Sequence, residues 1–120
     1  MGYVELHCHS NYSFQEGASF PHELLVRAKE LGYTSLALTD HDNLVASIDF
    51  SKTANAMGLH PIIGAEITLE GGYHLTLLAK DSMGYSNLSR IISYAHINNG
   101  RISPSVDIEL LKKYPRGLIA

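Results

Sequence analysis

The stretch Ser35-Leu36-Ala37-Leu38-Thr39-Asp40-His41-Asp42-Asn43 decides the fold of this chain. Residues 35–39 predict a short apolar strand, and the polar residues 40–43 predict a turn with candidate caps for a following helix. On both sides of the stretch, apolar residues recur at helical spacing, and a glycine ends each run. A strand that lies between two helices is typical of a sheet built from βαβ units.

The same alternation continues along the whole chain. The predicted order is β-α-β-α-β-β-α-α-β, which indicates an α/β fold with a largely parallel sheet and right-handed crossovers. Glu70-Gly71-Gly72 predicts a hairpin turn, and Ser19 is the candidate cap of a first helix that has Pro21 in its first turn and ends at Gly32. Strands are predicted over residues 3–7, 35–39, 62–69, 73–79 and 117–120, and the later helices over about 44–57, 82–98 and 108–113.

The composition indicates one ordinary domain, since the chain has 120 residues, of which 45% are hydrophobic and 18% are charged. A complete (β/α) barrel usually needs about 250 residues. The net charge of −3 gives no indication of a nucleic-acid-binding stripe. A single cysteine excludes an intrachain disulfide and favours a reducing compartment, so we expect a cytoplasmic protein, and no segment has the length of a membrane span.

Two histidines lie close together at the end of the first predicted strand, in His7-Cys8-His9. Side chains alternate between the two faces of a strand, so His7 and His9 point the same way and Cys8 points the other way. Two imidazoles at this spacing can converge on one metal ion. Taken alone the pair is a weak signal, because two solvent-facing histidines fit the same pattern.

Further histidines and acidic residues accompany the later strands. Asp40 and His41 follow the second strand, Glu66 lies in the third, His74 lies in its hairpin partner, and Glu16 lies in the loop after the first. Functional side chains of βα architectures gather at the ends of strands. Because four successive β-elements deliver a histidine or a carboxylate to one rim, we interpret them together as a metal site.

Each of these residues also has a purely structural interpretation. His41 can be a helix-start residue, Glu66 a surface residue and His74 a hydrogen-bonded core histidine. Glu66 nevertheless lies in the apolar run 62–67, where a carboxylate needs a counter-charge that a metal ion can provide. Asp40 is interpreted as the partner that fixes a ligand imidazole. The three remaining histidines are interpreted as surface residues: His22, His60 and His96.

Mixed histidine and carboxylate ligands suit zinc, manganese or iron, and a carboxylate can bridge two ions. Clusters of this kind mostly hydrolyse phosphate esters. The sequence contains no Walker-type glycine loop, no nucleophilic serine elbow and no Cys-x-x-Cys pair. Metal-assisted hydrolysis is therefore the predicted chemistry.

These motifs resemble the PHP (polymerase and histidinol phosphatase) superfamily, and most closely the N-terminal PHP domain of the bacterial DNA polymerase III alpha subunit family. The short Glu70-Gly71-Gly72 hairpin is more similar to the compact, error-prone type. The resemblance covers essentially the whole chain and rests on the segments 5–14, 17–19, 37–42, 64–66, 74–81, 84–88 and 117–120.

The resemblance implies a metal-dependent phosphoesterase on a distorted (β/α)7 barrel, with residues 1–120 forming its first half and two or three zinc or manganese ions in a complete domain. The implied metal ligands are His7, His9, His41, Glu66 and His74, and the ions that activate water would be held by His7, His9, His41 and Glu66. Glu16 is a less secure ligand, because the polymerase family usually has Asp at this position, before Gly17.

The resemblance further implies a parent polymerase that binds DNA and a PHP domain that removes 3′ nucleotides by phosphodiester hydrolysis. Two alternatives remain open. One is a structural, metal-stabilised or vestigial domain that binds partners such as a proofreading subunit, and the other is a stand-alone phosphatase. Because the chain ends before the family's later ligands and its polymerase domains, we expect weak activity at best from the chain alone. An open half-barrel exposes strand edges, so we also expect self-association.

Overall fold

A four-stranded sheet with helices packed against it forms the centre of the protein. The structure, a computed structural model, describes residues 3–13, 17, 19–99 and 104–120. Its elements are α1 (Pro21–Glu30), β1 (Ser35–His41), α2 (Ser47–Ala56), β2 (His60–Thr68), β3 (His74–Ala79), α3 (Ser82–Asn99), α4 (Ile108–Lys113) and β4 (Leu118–Ile119). This mixture of helices and strands confirms the predicted α/β class. Within the described ranges, no helix is long and apolar enough to cross a membrane.

The strands are ordered β1-β2-β3-β4 and do not all run the same way. β1 pairs with β2 in parallel, whereas β3 is antiparallel to both β2 and β4. The predicted largely parallel sheet is therefore wrong for two of the three pairings in the described part of the chain. The hairpin is the cause: Gly71 and Gly72 adopt φ angles of 92° and 87°, which allow β3 to return directly beside β2.

The helices cover one face of the sheet, and His41 and Glu66 lie on the other face together with apolar residues such as Ile62 and Leu78. The strand residues packed against the helices include Leu36 and Leu38 of β1, Ala65 and Ile67 of β2, and Leu77 of β3. Helices α1 and α2 pack over the β1 side, and α3 packs over the β2–β3 side. Since side chains alternate along a strand, His41 and Glu66 belong to the opposite face. We call this opposite face the inner face, because it corresponds to the interior of a (β/α) barrel.

Residues 3–10 lie along β1 without forming the predicted first strand. Ala37 N donates to Glu5 O at 3.0 Å, and Thr39 N donates to Cys8 O at 2.8 Å. From the first of these hydrogen bonds to the second, the N-terminal segment advances by three residues and β1 by two. This mismatch resembles a β-bulge and interrupts a regular ladder. The prediction of a strand over 3–7 is wrong, although the segment takes the place that a strand would occupy beside β1.

Strand β1 extends further than predicted, through Asp40 and His41, which were expected to form a turn. The neighbouring strand provides the reason, because His41 pairs with Glu66 of β2 in the parallel register. Pairing of this kind overrides local turn propensity. The extension determines which face of the sheet Asp40 and His41 point to, so it matters for the site.

The helices follow their predicted positions with different starting residues. α1 has Phe20 rather than Ser19 at its N-cap, because the Glu23 side chain accepts a hydrogen bond from Phe20 N at 2.8 Å and so closes the first turn from within. α2 begins at Ser47, later than the predicted start at Leu44. Four residues of α3 that recur at helical spacing are all buried: Leu88, Ile91, Ile92 and Ala95.

Gly84 lies where α3 meets the turn that leads into β4. A Cβ atom at Gly84 would overlap the carbonyl oxygen of Gly117. The obstacle is backbone rather than the end of a flexible side chain, and Gly117 itself has a φ of 77° that other residues rarely adopt. A side chain at position 84 would therefore push the start of β4 away from α3.

We expect Gly84→Ala to lower the free energy of unfolding by about 1–3 kcal/mol, because overpacking outweighs the gain of about 1 kcal/mol in helix propensity. Denaturant unfolding followed by circular dichroism measures this difference. Ser86→Ala, at an exposed position of the same helix, is the control and should stay within about 0.5 kcal/mol of wild type. A Gly84→Ala chain as stable as wild type would contradict the close contact.

Candidate metal centre

Glu66 lies at the centre of a group of histidines on the inner face of the sheet. Its carboxylate is buried, with 6% of the side chain exposed. His7 Nε2 contacts Oε2 closely, and His9 Nε2 lies 3.0 Å from the same oxygen. His74 Nδ1 lies 2.8 Å from Oε1. Both carboxylate oxygens therefore face imidazole nitrogens.

The sheet register brings the remaining histidine to the same place. His41 is the cross-strand partner of Glu66, and His74 is the partner of Thr68, two residues further along β2. The ring centroids of His41 and His74 are 4.7 Å apart. His74 lies at the amino end of β3 rather than at its carboxyl end. Because β3 runs antiparallel to β2, this amino end lies beside the carboxyl end of β2.

Two sets of potential ligands share the Glu66 carboxylate. His7, His9 and Glu66 form one set, and His41, Glu66 and His74 form the other; within each set the ligand atoms lie within 4.8 Å of one another. Five residues that the sequence marked as ligand candidates thus come together. Glu16, the sixth, lies outside the described residues. The role of these residues as ligands stays a prediction.

The chemistry of the donor atoms fits a divalent metal ion. In the described parts of the chain, the ion pairs of Glu66 are all with histidines, and no lysine or arginine neutralises it. A buried carboxylate needs a positive partner, and imidazole and carboxylate together suit zinc or manganese. The side chains of His7 and His74 are 54% and 43% exposed, so the centre is accessible from solvent.

Opposing effects act on the acidity of Glu66. Burial by itself would raise the pKa of the carboxyl group, but the hydrogen bond from His7 and the charges of His9 and His7 lower the pKa below its ordinary value. The histidines thus hold Glu66 in its ionised form. This is the form that binds a metal ion.

Cys8 lies between His7 and His9 but belongs to neither of the two ligand sets found among the described residues. Although residues 7–9 are not in a regular strand, His7 and His9 both reach Glu66, as the predicted alternation requires. Burial, followed by the charges of Glu5 and Asp40, raises the pKa of the Cys8 thiol to about 11. Cys8 therefore stays protonated near neutral pH, and it is the thiolate rather than the thiol that binds a metal ion.

Among the described residues, the hydrogen-bond partners of the Asp40 carboxylate do not include an imidazole, so the prediction that it fixes one directly is wrong. Its buried carboxylate accepts hydrogen bonds from Ser10 N at 2.6 Å, Ser10 Oγ at 2.7 Å and Ser13 Oγ at 2.7 Å. Because Asp40 and His41 are adjacent in β1, their side chains point to opposite faces. Asp40 instead fastens the loop that follows His9 to the end of β1.

The sequence interpretation missed Asp42 and Thr68, which both contact His41. Thr68 Oγ1 lies 2.8 Å from His41 Nε2, and Asp42 Oδ2 lies 3.2 Å from it. The Asp-His-Asp pattern was a usable signal for Asp42, whereas Thr68 could be found only from the register between the strands.

The three histidines assigned to the surface have different outcomes. His22 and His60 are exposed, as predicted. His96 is half-buried in the last turn of α3, and its Nε2 lies 2.7 Å from the carbonyl oxygen of Asp42. The surface assignment of His96 is wrong, because α3 packs close to the end of β1.

Comparisons with known proteins show the family to which this chain belongs. The sequence matches the PHP domain family over residues 5–120. The error-prone DNA polymerase of Symbiobacterium thermophilum is 41% identical over 100% of this chain and 12% of its own length. The DNA polymerase III subunit alpha of Treponema pallidum is 41% identical over 99% of this chain and 11% of its own length. The chain thus spans about an eighth or less of the length of these curated relatives.

This chain also matches part of two larger solved structures that have a similar fold. A protein assigned as a metal-dependent phosphoesterase from Bifidobacterium adolescentis superposes with a TM-score of 0.60 at 22% identity, over 78% of this chain and 33% of the other. An amidohydrolase from Chromobacterium violaceum, determined with bound sulfate and no metal, gives a TM-score of 0.57 at 29% identity, over 73% and 32%. This chain matches about a third of each of these two longer chains, which agrees with a partial (β/α) barrel. With the family match over nearly all of its residues, the chain belongs to the PHP domain family and is homologous to the PHP domains of DNA polymerase III alpha subunits and error-prone DNA polymerases.

Proposed function

We propose that this chain is the N-terminal part, residues 1–120, of the PHP domain of a DNA polymerase III alpha-like protein, and that its metal centre hydrolyses phosphodiester bonds at DNA 3′ ends. The observation that carries the proposal is the position of Glu66 between two sets of histidines. A carboxylate shared in this way suits a pair of ions that act together on one phosphate.

In this proposal one ion is held by His7, His9 and Glu66, and a second by His41, Glu66 and His74. Glu16 is proposed as a further ligand on the strength of the family resemblance. A zinc or manganese ion held by these residues would supply a water that ionises near neutral pH and a positive charge for the phosphate oxygens.

The side chains themselves favour an anionic substrate. Histidine is a neutral donor, and Glu66 is the one carboxylate that the described residues place in the two sets, so even with Glu16 as a further ligand two divalent ions would keep a net positive charge. His7 and His74 lie at the solvent-exposed side of the cluster, where a DNA end can approach. A cavity of about 500 Å³ adjoins His41 and His74 and is bounded by the hairpin turn at residues 70–72.

The wider role follows from the relatives that match along the whole chain. We propose that the parent protein synthesises DNA in the cytoplasm and that the PHP domain also contacts a proofreading subunit. The polymerase relatives favour this assignment over a stand-alone phosphatase. Exposed strand edges make self-association of the isolated chain a further expectation.

A structural role for the metal is the second candidate, and the irregular N-terminal segment favours it. His7 and His9 lie on residues 3–10, which have no regular ladder with β1. Ions held jointly with Glu66 would fasten this segment to β2. The same ligands would then stabilise the fold without performing hydrolysis.

We expect the purified chain to bind divalent metal and Glu66→Gln to lose nearly all of it, because both sets use this carboxylate. His9→Ala should lose mainly one ion. Elemental analysis after dialysis measures the content, and His60→Ala, an exposed histidine away from the centre, is the control. Zinc at about 100 times its dissociation constant should stabilise the wild-type chain by about 2.7 kcal/mol. Equal metal content in wild type and Glu66→Gln would rule out this centre.

For the catalytic role, we expect the longer parent protein to release 3′ nucleotides from single-stranded DNA in a metal-dependent reaction. Glu66→Gln should reduce the rate by at least about 100-fold while nucleotide incorporation continues, since the two activities use different residues. Gel analysis of end-labelled DNA measures both activities, with His60→Ala as the matched control. A parent that holds metal but releases no nucleotide would support the structural role instead.

A further inference from the structure

Asp42 follows His41 in a backbone conformation that few residues adopt. Its φ is 54°, and it is the one residue other than glycine with a positive φ in the part of the chain that the structure describes. Asp42 N donates to Glu66 O at 2.8 Å, which continues the β1–β2 pairing by one residue. A left-handed aspartate persists where its surroundings hold it, and such positions cluster at functional sites.

The Asp42 side chain is held by Thr68 through both carboxylate oxygens. Oδ1 accepts from Thr68 N at 2.8 Å, and Oδ2 accepts from Thr68 Oγ1 at 2.7 Å. The carboxylate, 12% exposed, therefore has a fixed orientation at the carboxyl end of β2. That orientation places Oδ2 3.2 Å from His41 Nε2.

The direction of these hydrogen bonds determines where the proton of His41 lies. A carboxylate can only accept, so the single hydroxyl hydrogen of Thr68 is donated to Asp42. Toward His41 the same hydroxyl can then only accept, and it lies 2.8 Å from Nε2. Nε2 of His41 must therefore carry a hydrogen, and in the neutral ring this leaves the lone pair on Nδ1.

Helix α3 supports Asp42 from the other side. His96 Nε2 donates to the carbonyl oxygen of Asp42 at 2.7 Å. Asp42 is thus fixed at its N–H by β2, at its carboxylate by Thr68 and at its carbonyl by α3. The contact also explains why a histidine in the last turn of α3 is half-buried.

We propose that Asp42, oriented by Thr68, is a positioning residue that fixes the tautomer of His41 and the direction of its ring. This inference rests on the proposed function, since it concerns how His41 is prepared to bind a metal ion, but it assigns a role to residues outside the ligand set. Histidine ligands in metal sites usually donate their other ring N–H to a carboxylate or a carbonyl.

The tautomer can be measured in the metal-free chain. Long-range ¹H–¹⁵N spectra, recorded at about pH 8, above the ordinary pKa of a histidine side chain, should show His41 as the Nε2–H tautomer in wild type. Asp42→Asn and Thr68→Val should both reduce this preference. Asparagine tolerates the left-handed conformation and valine keeps the branched shape of threonine, so both variants retain the local backbone requirements.

Thr68→Ser keeps the hydroxyl and is the matched control, in which the Nε2–H tautomer should persist. His41 with the Nδ1–H tautomer in wild type, or an unchanged tautomer in both Asp42→Asn and Thr68→Val, would overturn the proposal.

Metal affinity gives an independent reading. Cobalt titration followed by its visible absorption should show binding about 10–100-fold weaker in Asp42→Asn and Thr68→Val than in wild type and Thr68→Ser. Unchanged affinity in both variants would overturn the positioning role. A wild-type chain that binds no cobalt, zinc or manganese would refute the proposed function, and the tautomer measurement would still decide the role of Asp42.

Discussion

The structure depends on a carboxylate that is buried against imidazoles. Glu66 lies on the inner face of β2, where little of its side chain is exposed to water and where the histidines are its ion-pair partners among the described residues. Burying an ionised group is costly unless compensating partners surround it. That requirement gathers residues from the N-terminal segment, from β1 and from β3 around one point of β2. The helices on the other face supply the apolar burial that keeps these strands together.

Much of the site could be predicted because its chemistry follows simple local rules. His7 and His9 converge through the alternation of side chains, and that alternation survives although residues 3–10 do not form a regular strand. Glu66 could be recognised as unusual from the apolar residues around it. Such local patterns do not depend on how distant segments meet, which is why they could be read from the sequence.

The rest depended on distant contacts. The register of β1 on β2 decides that His41 faces Glu66 and that Asp40 faces away, and local propensity predicted a turn at these residues instead. Asp42 follows β1 and Thr68 ends β2, 26 residues later in the sequence, so their shared hydrogen bonds could not be foreseen. The predicted hairpin does imply that β3 is antiparallel to β2, and this local signal outweighs the alternation of strands and helices that favours a parallel sheet.

The hairpin turn also makes loop length a determinant of the metal centre. His74 reaches Glu66 only because the turn at residues 70–72 brings Thr68 opposite His74. A slip of one residue in this pairing would exchange the two faces of β3, so that an aromatic or an aliphatic side chain, from Tyr73 or Leu75, replaced the imidazole. The hairpin tips of homologous chains can therefore vary only in ways that preserve this pairing. A change of hairpin length that shifts the pairing would remove a ligand from the centre without altering any ligand residue.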